Sequence, residues 1–399
     1  MDILDRFLKY INFDTQSKDD SDTFPSTLKQ HLLADYLVQE LKDLGVTDVY
    51  KDEYSYVYAV IPGKINKSIG LIAHLDTALE ISGANVKANI INNYDCTDIL
   101  LENGMLISVN EFQFLKELKN HQLVTTDGNT LLGADDKAGI AIIVSVIEKI
   151  LISKQDFPTI YVAFTPDEEV GNGTLHFNYQ KFNVDFAYTI DGGPINYINY
   201  ENFNAASATI KINGKSIHPG SAKNKMINSL MIAMEFDRLL PSNCRPEFTE
   251  KYEGFNHLND LFGGVNETFM NYIIRNHDFN KFEQQKNDFI NAKNYLNNKY
   301  GYNIIELNIQ DSYRNMKELI LPHPEILELP SNALKAFNLN PIMEPIRGGT
   351  DGARLSYEGV LCPNLGTGSY NHHGPMEIAD ITDMKKMVDI ITYMLSSLK

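Results

Sequence analysis

The sequence predicts an α/β protein made of a large domain, whose sheet is covered by helices, and a smaller α+β domain inserted into it. In the first half of the chain, apolar strand-like runs alternate with helical segments, which is typical of a sheet with helices on both faces. The pattern changes near Asn202 and changes back near Arg314. A chain of 399 residues is also long enough for two domains. We therefore expect a large domain over 1–202 and 314–399 and an inserted domain over 203–313.

The elements of the large domain follow from hydrophobic periodicity and from turn residues. Leucines on one face predict a helix over 27–44, and Gly45 follows it as a stop signal. The run AGIAIIVSVIEKIL (138–151) is apolar almost all round, which indicates a buried helix. Strands are predicted at YSYVYAVIPG, IGLIAHLD (69–76), TIYVAFTPDEE (159–169) and FAYTIDGG (186–193). A further strand is predicted only weakly at TLLGADD (130–136).

The inserted domain has a different order of predicted strands and helices. The run ASATIKINGKSIHPG alternates like a strand and ends in a turn. It is followed by a predicted helix over 229–240, a strand over 271–278, a helix over 280–301 and a strand over 303–313. This order suits a small α+β domain.

Composition excludes several classes of partner. The formal net charge of -17 disfavours nucleic acid and anionic membranes, which select for basic surfaces. No run approaches a membrane span, and the N-terminus lacks the pattern of a secretory signal. The cysteines, Cys96, Cys244 and Cys362, are odd in number and widely spaced, which favours reduced thiols. We expect a cytoplasmic protein.

Polar residues collect where the predicted strands end. His74 and Asp76 are two positions apart, so on a strand the carboxylate can reach the imidazole. Asp135-Asp136 precedes the buried helix, Glu168-Glu169 follows a strand, and Asp191 follows another. Each has an ordinary structural interpretation as a hydrogen-bonded histidine, a helix N-cap or a solvated turn. Their joint occurrence at one sheet edge favours a ligand-binding site.

The residue types indicate metal chemistry. Histidine and carboxylates without cysteine suit catalytic zinc, or manganese or cobalt. Three or more carboxylates are too many for one catalytic zinc, so the pattern favours two metal ions. In the pair Glu168-Glu169, one glutamate can bind a metal while the other takes a proton from water.

The motifs HLD, GADDKAG, FTPDEEVG, TIDGG and YNHHG, in this order, resemble the co-catalytic zinc peptidases related to aminoacylase and glutamate carboxypeptidase. ENFNAAS, HPGSAK, YEGF, YIIR, DSY and PIRGGTDGA extend the resemblance nearly end to end, towards the bacterial tripeptide aminopeptidases of that family. The resemblance implies a zinc-peptidase catalytic domain with a mixed sheet flanked by helices, and a ferredoxin-like lid or dimerisation domain as the insert. It also implies two zinc ions per subunit, with cobalt or manganese as possible substitutes.

The resemblance assigns the metal ligands residue by residue. His74 and Asp191 would hold one zinc ion, Glu169 and His373 the other, and Asp135 would bridge both. A cis peptide bond is expected between the bridging aspartate and the residue after it.

The resemblance also assigns the proton-transfer residues. Glu168 would be the general base, and Asp76 would orient the first histidine ligand. Of the adjacent His372 and His373, alternation of side chains lets only one face the metals, and His373 matches the family position. The family reads His-Gly-x-His-Glu here, whereas this chain has Met376 in place of the second histidine.

Three further residues are expected to contact substrate. The resemblance implies that closure of the inserted domain brings His218 to the scissile carbonyl oxygen, within its own subunit or across a dimer. Arg275 and Arg347 are candidates to bind the C-terminal carboxylate of a tripeptide, because the planar guanidinium group can donate two parallel hydrogen bonds to the two carboxylate oxygens. A surface ion pair is the alternative for either arginine.

The implied function is release of the N-terminal residue from tripeptides by a monomer or homodimer. The same chemistry would serve a related di-zinc carboxypeptidase, a dipeptidase or an N-acyl amino-acid deacylase. A catalytically inactive peptide-binding relative is disfavoured because Glu168 and all five candidate ligands are present.

Overall fold

The computed structural model describes residues 1–153 and 155–398. Over these residues the helices are α1 (Ile3–Tyr10), α2 (Gln30–Asp43), α3 (Ala134–Ile152), α4 (Ser229–Leu239), α5 (Phe279–Tyr300), α6 (Lys317–Ile320), α7 (Pro324–Ala336), α8 (Asp351–Tyr357) and α9 (Ile381–Ser396). None of the helices in the described ranges is long and apolar enough to cross a membrane.

The strands of the same residues are β1 (Asp48–Lys51), β2 (Val57–Ile61), β3 (Ile65–His74), β4 (Ala88–Ile91), β5 (Ile99–Leu100), β6 (Leu106–Ile107), β7 (Leu123–Thr126), β8 (Pro158–Thr165), β9 (Phe186–Ile190), β10 (Tyr197–Asn199), β11 (Asn204–Asn213), β12 (Phe255–Gly263), β13 (Glu267–Asn276), β14 (Ile305–Tyr313), β15 (Ile342–Met343), β16 (Asn364–Leu365), β17 (Ser369–Tyr370) and β18 (Ile378–Asp380).

The described chain divides into two compact units. The larger comprises Met1–Tyr200, Glu318–Glu344 and the chain from Thr350 onwards, and the smaller comprises Glu201–Lys317 and Pro345–Gly349. The short segment Pro345–Gly349, which the sequence analysis assigned to the large domain, thus groups with the smaller unit. The roles of the two domains stay predictions.

The larger unit is built on a sheet with the strand order β1-β2-β8-β3-β9-β16-β10-β15. Strand β3 pairs in parallel with both β8 and β9, whereas β2 is antiparallel to β8, so the sheet is mixed. Leu71 of β3 belongs to the core formed with α1, α2, α3, α7 and α9. Its neighbour Ile72 faces the opposite side, in a second core that includes Leu355 of α8. Helices therefore flank both faces, and the predicted fold class is confirmed.

The parallel centre of this sheet brings three strand ends to one edge. Strand β3 ends at His74, β8 at Thr165 and β9 at Ile190. A second sheet, with the order β17-β18-β7-β4, holds the loop between β17 and β18.

The weak strand predicted over 130–136 is wrong. Residues 130–133 form a loop, and Ala134 begins α3. The reason lies in the backbone hydrogen bonds. The N–H groups of Leu132 and Gly133 donate to the buried carboxylate of Glu377 and not to a neighbouring strand.

The smaller unit is an antiparallel sheet with two helices. Its strand order is β12-β13-β11-β14, and α4 and α5 pack in one core with the sheet. The chain order β-α-β-β-α-β with this strand order is the ferredoxin-like arrangement, as the resemblance implied. The sequence analysis missed β12, because this edge strand is largely exposed and lacks a clean apolar alternation.

Candidate active site

The site of the larger unit is assembled where β3, β8 and β9 end. His74 is the last residue of β3 and is buried. The turn that carries Glu168 and Glu169 follows β8, and Asp191 follows β9. Because these strands run parallel, their carboxyl ends meet at the same edge, as the sequence predicted.

The start of α3 supplies the next carboxylates. The Asp135–Asp136 peptide bond is cis, which agrees with the resemblance, and both residues depart from helical dihedral angles. The buried carboxylate of Asp136 accepts the backbone N–H of His74 at 3.3 Å and that of Gly139 at 3.1 Å. Asp136 therefore satisfies the backbone at the start of the helix, which leaves Asp135 to face the site.

The five candidate ligands form two groups that share Asp135. Within each group, one oxygen or nitrogen atom per residue lies within 4.8 Å of the others: His74, Asp135 and Asp191 form one group, and Asp135, Glu169 and His373 the other. Asp135 Oδ1 lies 2.8 Å from His74 Nε2, and its Oδ2 lies 3.5 Å from His373 Nε2. A carboxylate with one oxygen towards each group has the geometry of a bridge.

The donor atoms fit divalent cations. Glu169 Oε2 lies 3.0 Å from His373 Nε2, but Glu169 Oε1 is buried and has no hydrogen-bond partner among the described residues. A buried carboxylate oxygen without a partner is costly, and a cation at that position satisfies it. The donor set is imidazole and carboxylate throughout, which suits zinc, manganese or cobalt.

The two adjacent histidines differ in their partners. His372 Nε2 pairs with Ser369 Oγ at 2.8 Å, while its Nδ1 lies 3.7 Å from Asp135 Oδ2. His373 Nε2 lies between two candidate ligands, Asp135 and Glu169. The expectation that alternation keeps one imidazole away is too simple, because the left-handed backbone at His373 (φ 61) lets both rings face Asp135.

Asp76 contacts both His74, which it was expected to orient, and the turn that carries Glu168 and Glu169. His74 Nδ1 lies 3.0 Å from the backbone carbonyl oxygen of Asp76 and 3.5 Å from its carboxylate. The two carboxylate oxygens accept the backbone N–H groups of Glu168, at 3.0 Å, and of Glu169, at 3.1 Å. Asp76 thus fixes both the imidazole and the turn that carries the glutamates.

Acidic side chains are concentrated in this site. Burial, together with the carboxylates of Asp351, Asp191 and Glu169, raises the pKa of Glu168 well above its ordinary value, although His74 opposes the shift. Burial also raises the pKa of Asp191 to about 6 and that of Glu169 to about 7. Carboxylates that resist ionisation for these reasons are stabilised as anions by bound cations.

Asp135 differs from Asp191, Glu168 and Glu169 in the direction of its pKa shift. Burial acts to raise its pKa, but His372, His373 and His74 together hold the pKa well below the ordinary value. The candidate bridge is thus an anion surrounded by imidazoles.

The sequence analysis missed two buried carboxylates beside the ligands. Asp351, at the start of α8, accepts a hydrogen bond from Thr165 Oγ1 at 2.9 Å, and burial raises its pKa to about 7. Glu377 accepts backbone N–H groups from the loop before α3. The available signal was one acidic residue in each of two segments that the resemblance already included, Asp351 in PIRGGTDGA and Glu377 just after the candidate ligand His373.

The three candidate substrate residues lie in the smaller unit. His218 is exposed, and its Nδ1 accepts the backbone N–H of Gly220 at 3.2 Å. Arg275 donates from Nη1 to the carbonyl oxygens of Ala206, at 3.2 Å, and Ile274, at 3.0 Å.

Arg347 is held more completely than Arg275. Its Nη1 donates to the carbonyl oxygens of Lys251, at 2.6 Å, and Glu253, at 2.9 Å, and its Nη2 donates to Thr249 Oγ1 at 3.2 Å. Its guanidinium carbon also lies 5.2 Å from the ring centre of Phe203. These contacts hold the segment 345–349 within the smaller unit.

Comparisons with known proteins agree with the resemblance found in the sequence. Residues 117–397 match the model of Peptidase family M20/M25/M40. The chain is 49% identical over 396 residues to Peptidase T of Halothermothrix orenii, covering 98% of this chain and 97% of that relative.

Solved structures share the fold over nearly the whole chain. An aminopeptidase PepT from Bacillus cereus matches with a TM-score of 0.79 and 18% identity, over 99% of this chain and 98% of that one. A tripeptidase from Staphylococcus aureus matches with a TM-score of 0.78 and 20% identity, over 99% and 97% of the two chains. A dinuclear metal-binding peptidase from Bacillus subtilis matches with a TM-score of 0.67 and 13% identity, over 99% and 96%.

The family model covers more than half of the chain, and the identity to a curated relative is high over almost its full length. The resemblance stated from the motifs is therefore confirmed, and the chain belongs to Peptidase family M20/M25/M40.

Proposed function

We propose that this protein is a metal-dependent aminopeptidase that releases the N-terminal residue from tripeptides. One observation carries the proposal: two groups of metal-binding side chains share Asp135, and Glu168 stands beside them without belonging to either. The names of its relatives, Peptidase T and a tripeptidase, support the substrate class. The carboxypeptidase, dipeptidase and deacylase alternatives are not favoured: two of the similar solved structures are dipeptidases, but at 12–13% identity they share only the fold with this chain.

The proposed cofactors are two divalent cations, zinc in the first instance, with cobalt or manganese as substitutes. His74, Asp135 and Asp191 would hold one, and Asp135, Glu169 and His373 the other. Bound cations would supply Lewis-acid activation of the attacking water and of the scissile carbonyl group.

Glu168 is the proposed general base. Its neighbour Glu169 faces His373 and is committed to the metal group, whereas Glu168 is not. Burial and nearby carboxylates raise the pKa of Glu168, and bound cations would act in the opposite direction. Glu168 accepts the proton of the attacking water and returns it to the leaving amine.

The role of Asp76 is to keep the base in place. Its carboxylate accepts hydrogen bonds from the backbone of the Glu168-Glu169 turn. The backbone of Glu168 therefore stays in place while the carboxyl group of Glu168 transfers a proton. The same residue contacts the imidazole of His74.

The substrate-contacting roles belong to the smaller unit. We keep His218 as the donor that stabilises the developing oxyanion, and Arg275 and Arg347 as candidates for the tripeptide carboxylate. The cytoplasmic location and the oligomeric state, a monomer or a homodimer, also stay proposals. The cysteines of the described chain are free thiols, which supports the proposed cytoplasmic location.

A cleavage panel tests the function. The purified protein is given a free tripeptide, its N-acetylated and C-amidated forms, a dipeptide and a tetrapeptide, with and without chelator. We expect rapid release of the N-terminal residue from the free tripeptide alone, abolished by chelator and restored by metal. Preferred cleavage of the acetylated peptide would indicate a deacylase, release of the C-terminal residue a carboxypeptidase, and binding without cleavage an inactive relative.

A further inference from the structure

Asp136 caps the regular part of α3 by accepting the N–H of Gly139, but the turn before it, which carries the bridging aspartate, has no local side-chain cap. The residue at the N-cap of α3 is Gly133, in a left-handed conformation (φ 79), and glycine has no side chain to accept the first N–H groups of the helix. Unpaired N–H groups at a helix start are costly when buried, and an anion near them is favoured. Another part of the chain must supply the acceptor.

Glu377 supplies it. This glutamate is 1% exposed. Its Oε2 accepts the N–H groups of Leu132, at 2.7 Å, and Gly133, at 2.8 Å, and its Oε1 accepts that of Asp135, at 3.0 Å. Three charge-assisted bonds from one carboxylate fix the backbone on both sides of Ala134.

The same glutamate ends the loop that carries His373. This loop is itself anchored, since its Pro375 carbonyl oxygen accepts a hydrogen bond from Thr126 Oγ1 at 3.1 Å, and its Met376 carbonyl oxygen accepts one from Asn371 Nδ2 at 3.2 Å. Glu377 therefore connects the segment of one candidate ligand to the backbone of another.

We propose that Glu377 is a positioning residue for the metal centre: its carboxylate fixes the Leu132–Asp135 backbone so that one oxygen of Asp135 faces each group of ligands. This inference rests on the proposed metal site. Because Asp135 belongs to both groups, loss of the clamp affects both cations, whereas loss of a ligand from one group affects chiefly one.

The test substitutes Glu377→Gln, which keeps the size of the side chain but turns an amide group towards at least one backbone N–H. The matched control is Asp52→Asn, in the turn between β1 and β2. Asp52 is partly buried, and its carboxylate accepts the N–H groups of Tyr54, at 3.0 Å, and Tyr56, at 2.9 Å, but it belongs to neither group of candidate ligands and its described hydrogen bonds include none to the ligand segments.

Zinc affinity is measured by calorimetric titration of the metal-free full-length proteins, and cobalt-loaded proteins are compared by visible absorption, which reports ligand geometry. We expect Glu377→Gln to weaken binding of both cations by about 10–100-fold, the usual effect of losing an outer hydrogen bond at a metal site, and to change the cobalt spectrum. We expect Asp52→Asn to lower Tm while both affinities and the spectrum stay as in the wild type.

The outcomes separate the inference from the proposed function. If the wild type binds two cations and Glu377→Gln binds them equally well, or if the control loses affinity to the same extent, the positioning role is overturned. If the wild type binds no zinc or cobalt, the metal site itself fails. Should Glu377→Gln not fold, Glu377→Asp keeps the charge on a shorter side chain, and unchanged affinities in that variant would equally overturn the inference.

Discussion

Asp76 Oδ1 accepts the backbone N–H of Glu168 at 3.0 Å. This bond joins a residue two positions beyond the end of β3 to the turn after β8, and the other carboxylate oxygen holds Glu169 in the same way. The side chains of the two glutamates thus start from one fixed backbone and can perform different tasks.

The first prediction concerns the base. Glu168→Gln removes proton transfer without removing a ligand, so we expect kcat to fall by about 10²–10⁴-fold while the metal content stays near that of the wild type. Steady-state kinetics on a tripeptide and elemental analysis of the same samples measure both quantities. Near-normal turnover with both metals present would contradict the assignment.

The second prediction separates the bridge from a single ligand. Asp135 belongs to both groups of candidate ligands and Glu169 to one. Asp135→Ala is therefore expected to lower the content of both cations, whereas Glu169→Ala is expected to lower chiefly one. Elemental analysis after exhaustive dialysis distinguishes the two variants, and full occupancy in both would mean that the cations bind elsewhere.

The third prediction concerns His218. If its imidazole stabilises the developing oxyanion, His218→Ala is expected to reduce kcat by about 10²–10³-fold, the cost of losing one such donor, and to leave metal binding unchanged. The control is His323→Ala, which removes another exposed histidine. An unchanged kcat would leave His218 with only the hydrogen bond that it accepts from Gly220.

The fourth prediction compares two arginines by their contacts. Arg347 donates to four backbone or hydroxyl oxygens through Nη1 and Nη2, whereas the described hydrogen bonds of Arg275 use Nη1 alone. We therefore expect Arg275→Ala to raise KM for tripeptides and to narrow the preference for a free over an amidated C-terminus. We expect Arg347→Ala to lower Tm as well.

The measurement is kcat/KM for the free and the C-amidated tripeptide in each variant, beside thermal unfolding. Arg275→Lys is the matched variant, because it keeps the charge but loses the planar fork. If both alanine variants prefer the free carboxylate as strongly as the wild type, neither arginine reads the C-terminus.

The fifth prediction concerns pH and stability. A hydrogen bond to Asp380 raises the pKa of His121 above its ordinary value, and Asp383 and Lys386 also face this imidazole. A histidine whose pKa is raised by folding stabilises the protein fully below its unfolded pKa, about 6.5, and the contribution is lost as pH rises through the folded pKa.

We therefore expect the difference in Tm between the wild type and His121→Gln to be largest between about pH 5 and 6 and to shrink at higher pH. Thermal unfolding at each pH, with chelator present throughout, measures this difference. A difference in Tm that stays constant over the whole range would show that the histidine acts through packing and not through its charge.

The positions of the candidate ligands followed from simple rules, because apolar runs ending in His74 or Asp191 mark strand ends, and parallel strands end together. The clamp from Glu377 could not be found in this way, since its partners are backbone N–H groups that no residue pattern reveals. The bond from Asp76 to the glutamate turn was also out of reach, because it depends on β3 and β8 being neighbours in the sheet.

Edges and close contacts were equally hard to predict. Strand β12 is an exposed edge strand, and its sequence lacks the alternation of apolar residues that would have predicted it. Gly139 of α3 lies so close to β9 that a Cβ atom there would stand 1.9 Å from the carbonyl oxygen of Ile190. The glycine is evident in GADDKAG, but the contact that demands it exists only once the helix lies against the sheet.

The sharing of Asp135 by two groups of acidic ligands also bears on how long the protein survives when metal is scarce. The candidate ligands come from segments as far apart as His74 and His373, so cations that bind only the assembled site would shift the equilibrium away from partly opened forms by mass action. Without cations, crowded carboxylates and the unpartnered oxygen of Glu169 oppose assembly. We expect starvation for metal to expose the chain to proteolysis, so that the abundance of the enzyme, and not only its activity, follows the supply of metal.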